Sequence, residues 1–229
     1  VLRWALGLLT GLVATASTAQ LSATASVTSD YRVRGVTLSE GRPAAQLDAS
    51  YDDELGWFAG AFASNVQFYE HSDREAQLMG YAGYARRLGG GWSVDAGAAY
   101  STFSGGNGYN YVELHAGVTS DVLSARLYYA PDYFGQGIHT LYAELNGSQR
   151  LFDRVKLIGH AGVLQVTAGA SSDTGGNSPH ADFLAGVEVE VKRFRLQVSR
   201  IAADGASRAY PVGSGHPAGV WVARISAGF

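Results

Sequence analysis

Residues 111–130 read YVELHAGVTSDVLSARLYYA. The first nine place Val112, Leu114, Ala116 and Val118 on one parity and Glu113, His115 and Thr119 on the other. The last eight set Leu123, Ala125, Leu127 and Tyr129 against Ser124, Arg126 and Tyr128. A period of two sustained over eight or nine residues marks a strand with one apolar face. Ser120-Asp121-Val122 between them leaves room only for a tight reversal, so the stretch predicts an antiparallel pair. Single charges on such strands would cost about 2–4 kcal/mol for each Arg set against lipid at mid-depth. If the apolar face meets hydrocarbon, Glu113 and Arg126 therefore face a polar interior.

The same pattern extends in both directions. It recurs at 44–52, 92–103, 181–191 and 219–229, with weaker copies at 57–68, 76–88, 139–151, 155–164 and 194–201. Near the start, 21–38 alternates for longer still, with Ala23, Ala25, Val27, Tyr31, Val33 and Gly35 on one parity. The total predicted is twelve strands. Their connections alternate between short ones (52–56, 89–91, 120–122, 152–154, 192–193) and long ones (39–43, 69–75, 104–110, 131–138, 165–180, 202–218). All five prolines fall in the long class, where no ladder N–H is lost. An even count with tight turns at one end and loops at the other is the layout of an outer-membrane barrel. The fold expected is thus all-β, a single transmembrane antiparallel β-barrel of about twelve strands over residues 20–229.

Composition agrees. Of 229 residues, 46% are hydrophobic, only 16% charged, and 30 are glycine, against averages of about 25% charged and 7% glycine. A net charge of −3 with ample apolar content argues against disorder, and without a Lys/Arg cluster no nucleic-acid partner is expected. Zero cysteines exclude disulfides, Cys-based zinc sites and thiol nucleophiles. Residues 1–19, VLRWALGLLTGLVATASTA, carry one Arg, an apolar run shorter than a membrane span, and then small residues. They read as a signal peptide cleaved after residue 19 or residue 16. Export then leads to the Gram-negative outer membrane.

Aromatics collect near strand ends. Trp57, Phe58, Trp92, Phe152, Phe194 and Phe229 lie at the short-turn end, and Phe68, Tyr69, Phe103, Tyr129, Tyr133 and Phe134 towards the loop end. Two interfacial girdles are expected from them. The closing strand, Trp221 to Phe229, resembles the C-terminal signal read by the barrel-assembly machinery, which makes Phe229 the expected assembly signal and that machinery a partner.

Ser29-Asp30-Tyr31-Arg32-Val33-Arg34-Gly35 in the first strand, Ser64-Asn65-Val66-Gln67-Phe68, Gly83-Tyr84 and Leu123 to Phe134 with its Tyr-Ala-Pro-Asp-Tyr-Phe resemble the TorF-type porins, a family of Gcw_chp-like conserved hypothetical outer-membrane proteins. The resemblance spans nearly the whole mature chain. It implies an outer-membrane barrel of transport type and supplies no substrate. Strand eight and the long 165–180 loop depart from the family pattern.

The lumen-lining candidates are Arg32, Arg34, Asp48, Asp95, Glu113, His115, Arg126, Glu144, Lys156, His160, Asp182, Glu188, Glu190, Arg195 and Arg224. In an open channel such charges concentrate counter-ions; in a narrow one they pair and fill it. With both signs interleaved, no strong ion preference is expected. No paired histidine spacing, nucleophile elbow or phosphate loop is present. Asp173 to Asn177 lacks the ligands of a calcium loop. No enzyme, cofactor, metal site or catalytic residue is therefore expected. The leading expectation is a channel passing small hydrophilic solutes through outer-membrane lipid. The alternatives are a non-conducting adhesin or interaction barrel, and a lipid hydrolase using His139, His180 or Ser171.

Overall fold

A computed structural model describes residues 20–69, 72–105, 108–169, 179–204, 209–210 and 219–229. The leader expected over residues 1–19, Ser171 and the 173–177 segment lie outside them. The strands are β1 (Gln20–Thr28), β2 (Arg32–Val33), β3 (Val36–Thr37), β4 (Ala44–Asp52), β5 (Trp57–Val66), β6 (Glu75–Gly89) and β7 (Trp92–Phe103). They continue with β8 (Tyr111–Thr119), β9 (Leu123–Ala130), β10 (His139–Phe152), β11 (Val155–Ala168), β12 (His180–Val191), β13 (Phe194–Ala203) and β14 (Gly219–Gly228). All but β2 and β3 form one closed barrel of twelve strands in which β4 to β14 each pair with the next and β1 closes against both β4 and β14. Every barrel pairing is antiparallel. Closure leaves no sheet edge unpaired, a condition for backbone in hydrocarbon.

The two faces of the wall differ as the alternation requires. Leu47 (63% exposed), Leu127 (53%) and Trp221 (68%) belong to an outward set rich in Leu, Val and aromatic side chains. An apolar surface this extensive would be an aggregation hazard in water and suits lipid. Facing inward are Ser22, Ser26, Gln46, Ser64, Gln77, Asp95, Glu113, Arg126, Lys156 and Glu188, all buried. The seam is sealed by the last residue: Phe229 N–H donates to the Ala23 carbonyl at 2.9 Å and the Ala23 N–H returns to Phe229 at 3.3 Å.

Two expectations are corrected. The first strand does not run to residue 38 but stops at Thr28, and residues 29–43 fold back into the lumen. There β2 and β3 pair as a two-residue hairpin, Val33 opposite Val36, with Arg34 at φ +51° and Gly35 at φ +77°. Positive φ at both central positions is the type I′ geometry that matches strand twist. A side chain at Gly35 would also meet the Ala203 Cβ at 2.6 Å. The loop-end girdle is the second correction. Phe68, Phe103, Tyr133 and Phe134 are buried inside the barrel, Tyr133 and Phe134 completely, whereas Tyr69 and Tyr129 face outward. At the other end Phe58 also points inward. The aromatics in the loop-end half serve a core within the lumen.

Candidate functional site

The lumen is filled at its loop end by two segments that meet. One is the 29–43 hairpin. Its base is organised by Asp30, whose carboxylate accepts from Arg32 Nε at 2.6 Å, Thr37 Oγ1 at 2.5 Å and Ser39 Oγ at 3.2 Å. Ser39 Oγ also accepts the Tyr31 N–H at 2.8 Å. Tyr31, Val33, Val36 and Leu38 are all buried, and the hairpin is tied to the wall where Gln67 N–H donates to the Leu38 carbonyl at 2.7 Å. The other segment follows β9. Residues 133–135 make a single 3-10 turn with Phe134 at φ +52°, and Asp132 Oδ1 accepts the Gly137 N–H at 2.6 Å. This turn drives Tyr133 and Phe134 inward, where Phe134 stacks on Phe103 at 5.6 Å and Tyr133 meets Tyr111 and Tyr210 edge-on.

Arg34 joins the two segments to the wall. Its Nη1 donates to Tyr133 Oη at 3.1 Å and its Nη2 to Glu113 Oε1 at 2.7 Å. The guanidinium lies over the Tyr142 ring, 4.0 Å from its centre. The Arg34 carbonyl faces His180 Nε2 at 3.0 Å. Burial works against this charge, but Glu113 and the surrounding tyrosine oxygens hold the guanidinium above its ordinary value. Burial likewise pushes the Tyr133, Tyr210 and Tyr31 phenols up, so they stay neutral.

Beneath the plug a cavity of about 180 Å³ is bordered by Arg34, Glu113, His115, Arg126, Tyr128, Tyr142, Glu144, Asn146, His160 and Asp182 on one side and by Phe58, Met79 and Ile201 on another. This is less than the roughly 300–1,000 Å³ of a drug-sized pocket. Two polar clusters form its charged side. Arg126 binds Asp95 through two nitrogens at 3.1 and 2.9 Å, and His115 Nε2 approaches the same carboxylate at 3.3 Å. Glu144 accepts from Tyr128 Oη at 3.1 Å and Asn146 Nδ2 at 3.0 Å. His160 bridges Asn146 Oδ1 at 2.6 Å and Asp182 Oδ1 at 2.7 Å. Tyr142 Oη donates to Asp182 at 3.1 Å, crossing a space that a side chain at Gly162 would fill.

Nearer the short turns, Lys156 Nζ meets Glu190 at 2.5 Å and Glu188 at 3.7 Å, and Arg195 stands opposite Glu190 in the register. Asp48 accepts from Tyr81 Oη at 3.3 Å, and Arg224 donates to Ser26 Oγ at 2.9 Å. The fifteen candidates thus fall into separate groups, thirteen on the wall strands and two on the hairpin. Arg32 and Arg34 reach the lumen from the hairpin, a correction to their place on the first strand. Asp30, Tyr133, Tyr142 and Asn146 are members that the candidate set omits, and so is Tyr128, although alternation places it on the parity of Arg126. The available signal was the pair Arg34-Gly35 between two valines, a turn dipeptide within an alternating run. Of the residues weighed for hydrolysis, His139 contacts Tyr129 Oη at 2.9 Å and His180 the hairpin tip, so these two serve different neighbours.

A closed barrel of twelve antiparallel strands with an apolar outside and a polar interior is the architecture of an outer-membrane β-barrel. The chain is a member of the bacterial Gcw_chp family, described as a bacterial protein of unknown function, which matches residues 13–229. Among solved structures, the NanC porin is similar at 10% identity over 92% of this chain and 99% of that one, with a TM-score of 0.57. The KdgM porin is similar at 12% identity, covering 91% and 97%, with a TM-score of 0.52. A second KdgM structure, in complex with disordered oligogalacturonate, covers 91% and 95% at 12% identity and a TM-score of 0.50. A search of curated proteins found no match. At these identities the structural likeness concerns the fold.

Proposed function

We propose that the protein is a porin-like outer-membrane channel for passive passage of small hydrophilic solutes, closed at its loop-end mouth in the conformation described here. The observation that carries the reading is a polar lumen with a cavity inside an apolar-coated, edgeless barrel. Such an interior is needed by a solute path and by no lipid-facing surface. Residues 1–19 act as the leader, and Phe229 is the signal by which the assembly machinery inserts the chain. Of the four segments that carry the likeness to TorF-type porins, the two most specific, at 29–35 and 123–134, are the ones that meet at Arg34 and Tyr133.

Purified protein in planar bilayers tests the channel. Wild type should give rare, small steps. A variant with residues 31–38 replaced by a short Gly-Ser linker should give frequent, larger ones. Persistent silence from both, with heat-dependent gel mobility proving folded barrels, overturns the reading. One observation favours a second reading, a non-conducting interaction barrel: the plug is a packed aromatic core rather than a loosely draped loop. That reading expects the linker variant to stay silent.

A further inference from the structure

The surroundings of the Arg34 guanidinium would serve a free cation equally well. Tyr142, Tyr128 and Tyr133 present ring centres at 4.0, 5.3 and 5.3 Å from its central carbon, and Glu113 supplies the counter-charge at 2.7 Å. Several aromatic faces and one carboxylate around one buried positive charge is the composition of an organic-cation site. A planar guanidinium suits it better than a compact ammonium, because a flat face covers the Tyr142 ring while an edge N–H meets Glu113.

Three features mark Arg34 as an occupant of this cage. The wall side chains are held without it: Tyr128 by Glu144, and Tyr142 by Asp182 and His160. The backbone is turned into the left-handed region to deliver the arginine, at φ +51°, where an L residue other than Gly, Asn or Asp is strained. The fit is also incomplete, since Arg34 Nε is buried without an acceptor among the described residues. The cavity adjoins the cage and shares Arg34, Glu113, Tyr128 and Tyr142 with it, so a small solute in the lumen lies beside the site.

We infer that Glu113, Tyr128, Tyr133 and Tyr142 form a binding site for small guanidinium-bearing solutes, and that Arg34 is a tethered occupant which such a solute displaces, releasing the hairpin. The displacement step rests on the channel reading; the site itself does not. Agmatine is the probe, with methylamine and sodium as controls, and intrinsic fluorescence and thermal unfolding in detergent as readouts. Arg34→Ala should bind agmatine at least roughly tenfold more tightly than wild type, a gain of the size expected for a desolvated cation–aromatic site. Adding Glu113→Gln should abolish that gain, and neither control cation should reproduce it. In bilayers, millimolar agmatine should raise the open fraction of wild type and leave Arg34→Ala, already open, unchanged.

Folded Arg34→Ala that binds agmatine no better than wild type, or equally well when Glu113→Gln is added, overturns the site. Should Arg34→Ala fail to fold, Arg34→Gln keeps the hydrogen-bonding bulk without the charge and faces the same criteria. Agmatine binding by a barrel that never conducts would sink the channel reading and the displacement step while leaving the site. A conducting barrel without agmatine binding would sink the site alone.

Discussion

The wall and the plug of this barrel are built on opposite principles. The wall is held by backbone ladders between chain neighbours, and any side chain of the right polarity serves at most of its positions. The plug has, among the described residues, one short strand pairing, β2 with β3, and a few single backbone bonds such as Leu38 N–H to the Tyr31 carbonyl and Gln67 N–H to the Leu38 carbonyl; the rest of its hold comes from side chains: Asp30 knitting the hairpin, Arg34 reaching Glu113, and aromatic rings closing the space. Damage to the wall is therefore spread over many equivalent bonds, whereas damage to the plug concentrates on a few groups. The structure consequently offers two separable stabilities.

The largest expected effect separates them. Asp30→Ala removes the shared acceptor of Arg32, Thr37 and Ser39 and strands a buried guanidinium, a change worth about 3–5 kcal/mol in comparable buried pairs. Hydrogen exchange over 29–43 should accelerate by orders of magnitude while β8 to β13 exchange as before. Loss of protection in both regions together would show that plug and wall are one cooperative unit. The converse substitution, Leu127→Arg on the outward face, should lower barrel stability in lipid vesicles by about 2–4 kcal/mol, read by urea titration, without selectively loosening the hairpin.

A smaller effect sharpens the fit of the tip. Gly35→Ala places a methyl group 2.6 Å from the Ala203 Cβ and 3.0 Å from the Asp182 Cβ at a φ of +77°. Overpacking with backbone strain amounts to about 1–3 kcal/mol, so the variant should flicker open in bilayers, with a conductance between those of wild type and the linker variant. The smallest change is Ser22→Ala, which removes a 2.8 Å hydrogen bond to Ser50 on the lumen wall. It should cost about 0.5–1.5 kcal/mol of barrel stability and leave conductance untouched.

The same division explains what the amino-acid pattern could disclose. Parity alone assigns each wall residue a face, so Glu113 and Arg126 could be placed inward from 111–130 by themselves. Parity is silent about height and azimuth, which depend on the stagger of every pairing around the barrel, so it could not bring Arg34 to Glu113 or His160 to Asp182. The hairpin was hidden because Tyr31 and Val33 continue the alternation of Ala25 and Val27 through the point where β1 ends. Its turn uses Arg-Gly in place of the more telling Asn-Gly or Asp-Gly. The rings of Phe68, Phe103, Tyr133 and Phe134 were misplaced for another reason. Nearness to a strand end outweighed parity for two of them, since Phe103 shares the parity of Asp95 and Ser101 and Phe68 that of Ser64 and Val66; for Tyr133 and Phe134, beyond the strand, a lipid headgroup region and a packed lumen suit an aromatic alike, and the inward turn of residues 133–135 decides between them.

The separation of 79 residues between Arg34 and Glu113 carries a consequence for how the molecule is made. The hairpin emerges early, attached to the first strand, but the rings and carboxylate that hold its tip belong to β8, β9, β10 and the turn after β9. Adjacent strands can zip as each is completed, since their contacts are local. The tip must wait for more than half the cylinder, and β1 itself for the last strand and Phe229. Newly inserted chains should therefore pass through a stage in which the early strands are paired and the hairpin tip is still unheld, so that closure of the mouth is timed separately from pairing of the wall.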